Sequence, residues 1–318
     1  MLGIVIPAYK REKCLREALE SLTIQTMKRF FVIVVDDHSP EPLKNVVEEF
    51  SNRLNIKYIY AEENGGPGAA RQIGLEACYK AGFDLVMFMD SDDLLYPHAV
   101  ARLTHEINHS AMDLISSGIW VEKKYEPGCP LPASNKTWLH GKIFRTQYLK
   151  DNNICFPLIR TNEDLAFNLM VSEGTAKKAI IEETLYLFRD EKSSITRGGE
   201  YAAASFGGSD YIDAIYYATK YLKEKNSLTN QIFIDILNCY NFYQQAGLLG
   251  GSVTEITKKH LCWLINLDEF QEKINNPKWF IDYIQVIKQA MYHNNQIYYF
   301  EQTFKDWLEE YTDGNSNN

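Results

Sequence analysis

Three carboxylates crowd into four positions, Asp90, Asp92 and Asp93, directly after the apolar run Phe83–Met89. A run this short reads as a buried strand, and acids at its C-terminal end stand where open α/β sheets bind their ligands. Asp90 and Asp92 alternate about Ser91, a spacing that lets two carboxylates converge on one hard divalent cation, Mn²⁺ or Mg²⁺. The plain alternative is an acidic turn in which Asp92 or Asp93 caps a following helix. A second acid pair, Asp36-Asp37, follows the apolar run Phe30–Val35, and alone it reads as a turn before Pro40. A third pair, Glu163-Asp164, follows Thr161-Asn162, where acids complement the positive end of a helix. Gly65, Gly66 and Gly68 precede a helical pattern, as turn punctuation or as a loop whose amides face an anion.

One further match is to H-E-x-x-H, at His105-Glu106-Ile-Asn-His109. The pattern belongs to zinc peptidases. Here the helical stripe is Val100, Leu103 and Ile107, which turns both histidines to solvent, and no third ligand follows at a useful spacing. Coincidence is the preferred reading.

The elements that must carry these residues alternate. Strands are expected at Leu2–Ile6, Phe30–Val35, Ile56–Tyr60 and Phe83–Met89. Helices are expected between them at Glu12–Met27 (with Leu15, Ala18, Leu19 and Leu22 buried), Leu43–Leu54, and from the glycine-rich loop to Ala81. Such βα units build a mainly parallel sheet. Polar residues gather after each strand, so one sheet edge is being equipped as a site. Beyond it come strands at Asp113–Val121 and Ala179–Phe188, a short strand or turn at Trp138–Arg145, and helices at Thr146–Asn152 and from Thr161. A long loop occupies Arg189–Ser209. From Asp210 the pattern turns helical: Ile212, Ile215, Tyr216 and Leu222 form one stripe, and Ile232, Ile236, Leu237 and Tyr240 another. Further helices are expected at Thr254–Phe270, Trp279–Tyr292 and Gln296–Tyr311.

The 318 residues carry 33 basic and 42 acidic side chains, a formal charge of -9 that disfavours nucleic acid as the main partner. Six scattered cysteines without a C-x-x-C pair point to a reducing compartment. No apolar stretch is long enough to span a membrane, and Leu2–Ile6 runs into Pro7 without a signal-peptide layout. The expectation is a cytoplasmic protein, including the inner face of the membrane.

In their order and spacing, these pieces resemble the family 2 inverting glycosyltransferases. The segments are Ile4-Val-Ile-Pro-Ala-Tyr9, Val34-Val-Asp-Asp-His-Ser39, Asn64-Gly-Gly-Pro-Gly-Ala-Ala-Arg71, Met89-Asp-Ser-Asp-Asp-Leu94, Gly141-Lys-Ile-Phe-Arg145 and Asn162-Glu-Asp164. The resemblance covers roughly the first 200 residues and implies an α/β GT-A fold, Rossmann-like, at 1–205, with an α-helical extension at 206–318. It implies that Pro7, Ala8, Tyr9, Arg11, Asp36, Gly66, Arg71, Asp90, Ser91 and Asp92 bind a nucleotide sugar, typically a UDP-sugar. Asp92, with Asp90 and His140, would hold Mn²⁺ or Mg²⁺. Asp164 would be the catalytic base with Glu163 beside it, and Lys142, Arg189, Ser194 and Arg197 would serve acceptor and lid. The implied acceptor is a hydroxyl of a cell-surface glycan or polysaccharide. The helical third is open to a homo-oligomer or peripheral membrane contact. Competing readings are a sugar nucleotidyltransferase, which lacks its Gly-x-Gly-Thr-Arg signature here, and a non-catalytic nucleotide- or carbohydrate-binding module.

Overall fold

The computed structural model describes residues 1–122, 127–133, 138–189, 209–248 (backbone only at 240–248), 253–276 and 278–279. Compactness divides the chain into two units, Met1–Ser194 and Ile195–Asn318.

The first unit is built on a sheet of nine strands. In chain order these are β1 (Leu2–Ala8), β2 (Phe30–Asp36), β3 (Ile56–Tyr60), β4 (Leu85–Phe88), β5 (Leu94–Leu95), β6 (Leu114–Val121), β7 (Cys129–Leu131), β8 (Lys142–Arg145) and β9 (Lys178–Phe188). Their spatial order is β3-β2-β1-β4-β8-β6-β9-β5, with β7 paired to β6. Strands β3, β2, β1 and β4 are parallel, as their alternation with helices requires. Strand β8 enters antiparallel between β4 and β6, so the sheet is mixed on that side. Strand β1 runs past Ile6, where the sequence pattern ends it, because Pro7 and Ala8 continue the ladder beside Val35 and Asp36. Proline is tolerated there because the ladder to β4 has already ended at Val5.

Helices cover both faces. On one face Leu2, Ile4 and Ile6 of β1 pack with α1 (Glu12–Thr23), α2 (Lys44–Glu49) and α4 (Ala99–Asn108). The other face carries α3 (Pro67–Lys80), α5 (Thr146–Asp151) and α6 (Glu163–Ser172). There Phe88 of β4 meets Phe144, Phe156 and Phe167 at centroid distances of 6.0, 5.1 and 5.6 Å. Phe156 stacks on Phe167 at 4.3 Å. This aromatic knot fixes α6 against β4, two residues before Asp90 and three after Asp164.

Three helices of this unit differ from expectation. Helix α1 stops at Thr23, not Met27, because Gln25 turns inward and is held through the carbonyls of Ser21 and Tyr96 and the amide of Val100. Helix α2 ends at Glu49, before the turn that reaches Leu54. At the start of α6, Asn162 stands in the left-handed region (φ 61°) and its side chain makes no cap bond, so the expected capping is absent.

The second unit contains α7 (Ser209–Glu224), α8 (Asn230–Leu248), α9 (Glu255–Ile265) and α10 (Asp268–Ile274). Ile212, Ile215, Leu222, Ile232, Ile236 and Leu237 are buried as the stripes require, with Tyr216 half-buried. The single helix expected over Thr254–Phe270 is two, broken at Asn266–Leu267. The side chain of Tyr240 and the helices expected after Trp279 lie outside the described residues. No helix among the described residues is long and apolar enough to cross a membrane.

Candidate active site

The carboxyl ends of β1, β2 and β4 open onto one place, and the loops after them supply its acids. After β4 the chain makes a tight turn in which the amide of Asp93 donates to the carbonyl of Asp90 (3.2 Å). A turn of this kind puts residues i and i+3 on one side. It is therefore Asp90 and Asp93, not Asp90 and Asp92, that face His140, whose Nε2 lies 3.2 Å from Asp90 and 3.6 Å from Asp93. The ligating atoms of Asp90, Asp93 and His140 all lie within 4.8 Å of one another. Asp92 is ion-paired with Arg11. The extended spacing assumed for Asp90 and Asp92 is replaced by a turn, which explains the exchange of partners.

Strand β9 holds this loop from behind. The Tyr186 hydroxyl donates to Asp93 (2.7 Å) and its ring stacks on His140 at 4.8 Å. The backbone amide of Arg189 donates to the other oxygen of Asp93 (3.0 Å), and the Arg189 side chain reaches the Asp92 carbonyl and Glu17. Arg189 thus clamps the acidic loop to α1. Ser194 and Arg197, expected to complete a lid, lie outside the described residues. Tyr186, and Asp93 as a partner of His140, are the members of this cluster that the sequence did not assign to it. The only available signal for Asp93 was its three-residue separation from Asp90.

Whether these residues suit a divalent cation can be judged from the donors. Two carboxylates and one imidazole within 4.8 Å of one another are close enough to converge on a small ion, and oxygen with a single nitrogen suits Mn²⁺ or Mg²⁺. His140 Nδ1 is buried without a hydrogen-bond partner among the described residues, so nothing locks the ring through that atom. The set fits. Electrostatics agree: burial disfavours the Asp90 charge, but Arg71 and His140 outweigh it and hold that carboxyl far below the usual range. Asp93, buried beside Asp90 and Asp92 and relieved only in part by His140, is pushed up to about 7.

Arg71 links the acidic loop to α6. Its buried guanidinium forks between Asp90 (2.5 Å) and Glu163. Gly68, one turn earlier on α3, makes room for this: a Cβ there would stand 2.6 Å from Glu163 Cγ. Gly66 precedes α3 at φ 86°, a conformation that favours glycine. Glu163 and Asp164 open α6, and burial raises both carboxyls against the pull of Arg71, Glu163 to about 7. Lys142 at the start of β8 donates to the Trp138 carbonyl, and burial lowers its ammonium to about 7 although Asp164 favours the charge.

At the β2 end, Asp36 is fully engaged. It accepts from the amides of Ser39 (2.9 Å) and Leu43 (2.8 Å) and from the Tyr58 hydroxyl (2.7 Å). Its neighbour Asp37 accepts from the amides of Gly65 and Gly66, both at 2.9 Å, and so holds the glycine-rich loop. Pro7 and Ala8 are buried at the end of β1, with Tyr9 half-exposed beyond them. Ser91 is buried in the acidic turn. The histidines of the H-E-x-x-H motif are exposed on α4, outside this site.

A mainly parallel sheet wrapped by helices on both faces, with acids and a histidine gathered at the strands' carboxyl ends, is the GT-A fold. Residues 3–159 match Glycosyl transferase family 2, and through this segment the chain belongs to that family. Among sequence relatives, the poly(ribitol-phosphate) beta-N-acetylglucosaminyltransferase TarS of Staphylococcus aureus is 28% identical over 224 residues, 64% of this chain and 37% of the relative. The putative glycosyltransferase EpsH of Bacillus subtilis is 34% identical over 218 residues, 62% of each chain. The chain therefore spans less than two thirds of the length of these relatives. In structure it resembles the S. aureus TarS fragment 1–349, with a TM-score of 0.65 and 21% identity over 98% of this chain and 90% of that one. It also resembles the complex of that fragment with UDP-GlcNAc, with a TM-score of 0.58 and 24% identity over 89% of this chain and 80% of that one.

Proposed function

We propose that this chain transfers a sugar from a uridine-diphosphate-sugar donor to a hydroxyl of a cell-surface glycan, with inversion at the anomeric carbon and with a divalent cation. The observation that carries the reading is the fork of Arg71. It ties the acidic turn after β4 to the acid pair that opens α6, which supports reading the one as a cation site and the other as the source of a base. TarS relatives whose names and structures involve N-acetylglucosamine transfer and UDP-GlcNAc support the choice of donor.

In this reading Asp164 takes the proton of the acceptor hydroxyl as it attacks the anomeric carbon, and a single displacement by one base inverts that centre. Glu163, paired with Arg71, positions Asp164. Asp90, Asp93 and His140 would hold Mn²⁺ or Mg²⁺, with Asp92 beside them as a further ligand. When bound, the cation offsets the charge that develops on the leaving diphosphate. Pro7, Ala8, Tyr9, Ser91 and the loop at Gly66 line the nucleotide, with Asp36 shaping its wall through the backbone it holds. Lys142 and Arg189 border the acceptor side. The proposed division is a catalytic domain at 1–205 and a helical extension at 206–318 that contacts a second copy or the membrane surface. The setting proposed is cytoplasmic, at the inner membrane face.

The test is UDP release from a panel of UDP-sugars with Mn²⁺ and polyol-phosphate or glycan acceptors, followed by NMR of the product's anomeric configuration. A β-linked product from an α-linked donor supports the proposal. Retention of configuration, or sugar-1-phosphate in place of glycoside, overturns it.

A further inference from the structure

The paired imidazoles of α4 are the one chemical motif that the proposed transfer leaves unused. His105 in the last turn of α4 and His109 at its C-cap stand four residues apart, away from Val100, Leu103 and Ile107, which are fully buried. Both are exposed, and their rings lie 4.1 Å apart, centroid to centroid, inclined by 31°. His109 Nδ1 lies 2.8 Å from the backbone carbonyl of His105. A carbonyl can only accept, so that nitrogen carries the proton and Nε2 is left with the lone pair. A backbone carbonyl on the far nitrogen is the bond by which proteins orient metal-ligating imidazoles. The pair also sits in the last turn of the helix, where the macrodipole favours a cation.

The rest of the peptidase motif is missing from the geometry. Glu106 is ion-paired with Arg102, which engages the carboxylate that a metallopeptidase needs as its base. Among the described residues no third histidine, cysteine or acid joins the pair, since the only such cluster is Asp90, Asp93 and His140. What remains is a two-nitrogen ligand set.

We propose that His105 and His109 form a surface chelate for a transition-metal ion that favours imidazole, Zn²⁺ or Cu²⁺, with water completing its coordination. Such ions prefer nitrogen, whereas Mg²⁺ and Mn²⁺ prefer the oxygen-rich centre after β4, so the two sites select different metals. With two protein ligands in place of the four of a structural zinc site, the ion is exchangeable and its occupancy follows the surrounding metal concentration.

The experiment is calorimetric titration of Zn²⁺ into the tag-free full chain, with excess Mg²⁺ present to hold the carboxylate centre. His105→Gln and His109→Gln are measured alongside. Each substitution is expected to weaken one Zn²⁺ equivalent at least tenfold, because a chelate fails when either arm is lost. Metal-free melting temperature stays unchanged, since both rings are exposed. Zinc binding equal to that of the wild type in either variant overturns the proposal, as does weakening in only one of the two. Loss of folded protein in the metal-free variants also counts against it, since the pair would then be structural.

Discussion

At the scale of single residues, the account turns on which carboxylates are free to react. Asp36 is consumed by two amides and a hydroxyl, and Glu163 by Arg71, whereas Asp164 has only the amide of Leu165, its own chain neighbour, among the bonds described. Asp164→Asn should therefore keep donor binding, read by calorimetry, and lower the transfer rate by about 10²–10⁴-fold, the usual worth of a general base. Burial raises the Asp164 carboxyl. A base must be ionised, so activity is lost as pH falls, and the acid limb of kcat/KM should lie above the ordinary aspartate value of about 3.9. A limb at or below that value, or one that persists in the Asn variant's residual rate, would assign the base elsewhere. Arg71 offers a different prediction, because its buried guanidinium is shared between buried Glu163 and partly exposed Asp90. Arg71→Ala leaves Glu163 without its ion pair and Asp90 with His140 alone, and should cost roughly 3–5 kcal/mol in denaturant unfolding, as broken buried ion pairs do. A loss below about 1 kcal/mol, the usual ceiling for an exposed pair, would mean that the fork is not formed in solution.

The elements place these residues, and they were the part most readable in advance. Short continuous apolar runs located β1 to β4, and period-3.6 stripes located α1 and α4, to within a few residues, because a strand buried on both faces must be apolar throughout while a helix buries one stripe. Short β5 and β7 carried no such signal: two or three residues cannot show a period, and their pairing depends on β9 and β6 far along the chain. The same limit applied to the site. That acids gather after β4 was legible, but their sorting depended on a turn that faces Asp93 to His140 and leaves Asp92 with Arg11. Tyr186, 96 residues after Asp90, was invisible for the same reason. Close packing between α3 and α6 gives the test at this scale. Gly68→Ala would drive a Cβ to within 2.6 Å of Glu163 Cγ. The side chain must move, so the variant should lose transfer activity severalfold or more at a stability cost of about 1–3 kcal/mol, typical of overpacking. Wild-type kcat in that variant would show that Glu163 has no part in placing Asp164.

For the whole molecule, the two units divide the work differently. Met1–Ser194 holds every described residue of the candidate site, while the second unit is a set of helices with its own apolar interior. The central claim, that the first unit binds a nucleotide sugar through a metal held after β4, is tested most directly by thermal shift of the intact chain. The panel is UDP-GlcNAc, UDP-glucose and UDP, each with Mn²⁺, with Mg²⁺ or with EDTA. A ligand at a hundredfold excess over Kd stabilises the folded state by about 2.7 kcal/mol. The account predicts a clear rise in Tm with one UDP-sugar and Mn²⁺, abolished by EDTA and by Asp93→Ala. A rise of equal size in EDTA, or none with any nucleotide while Mn²⁺ is present, would contradict it.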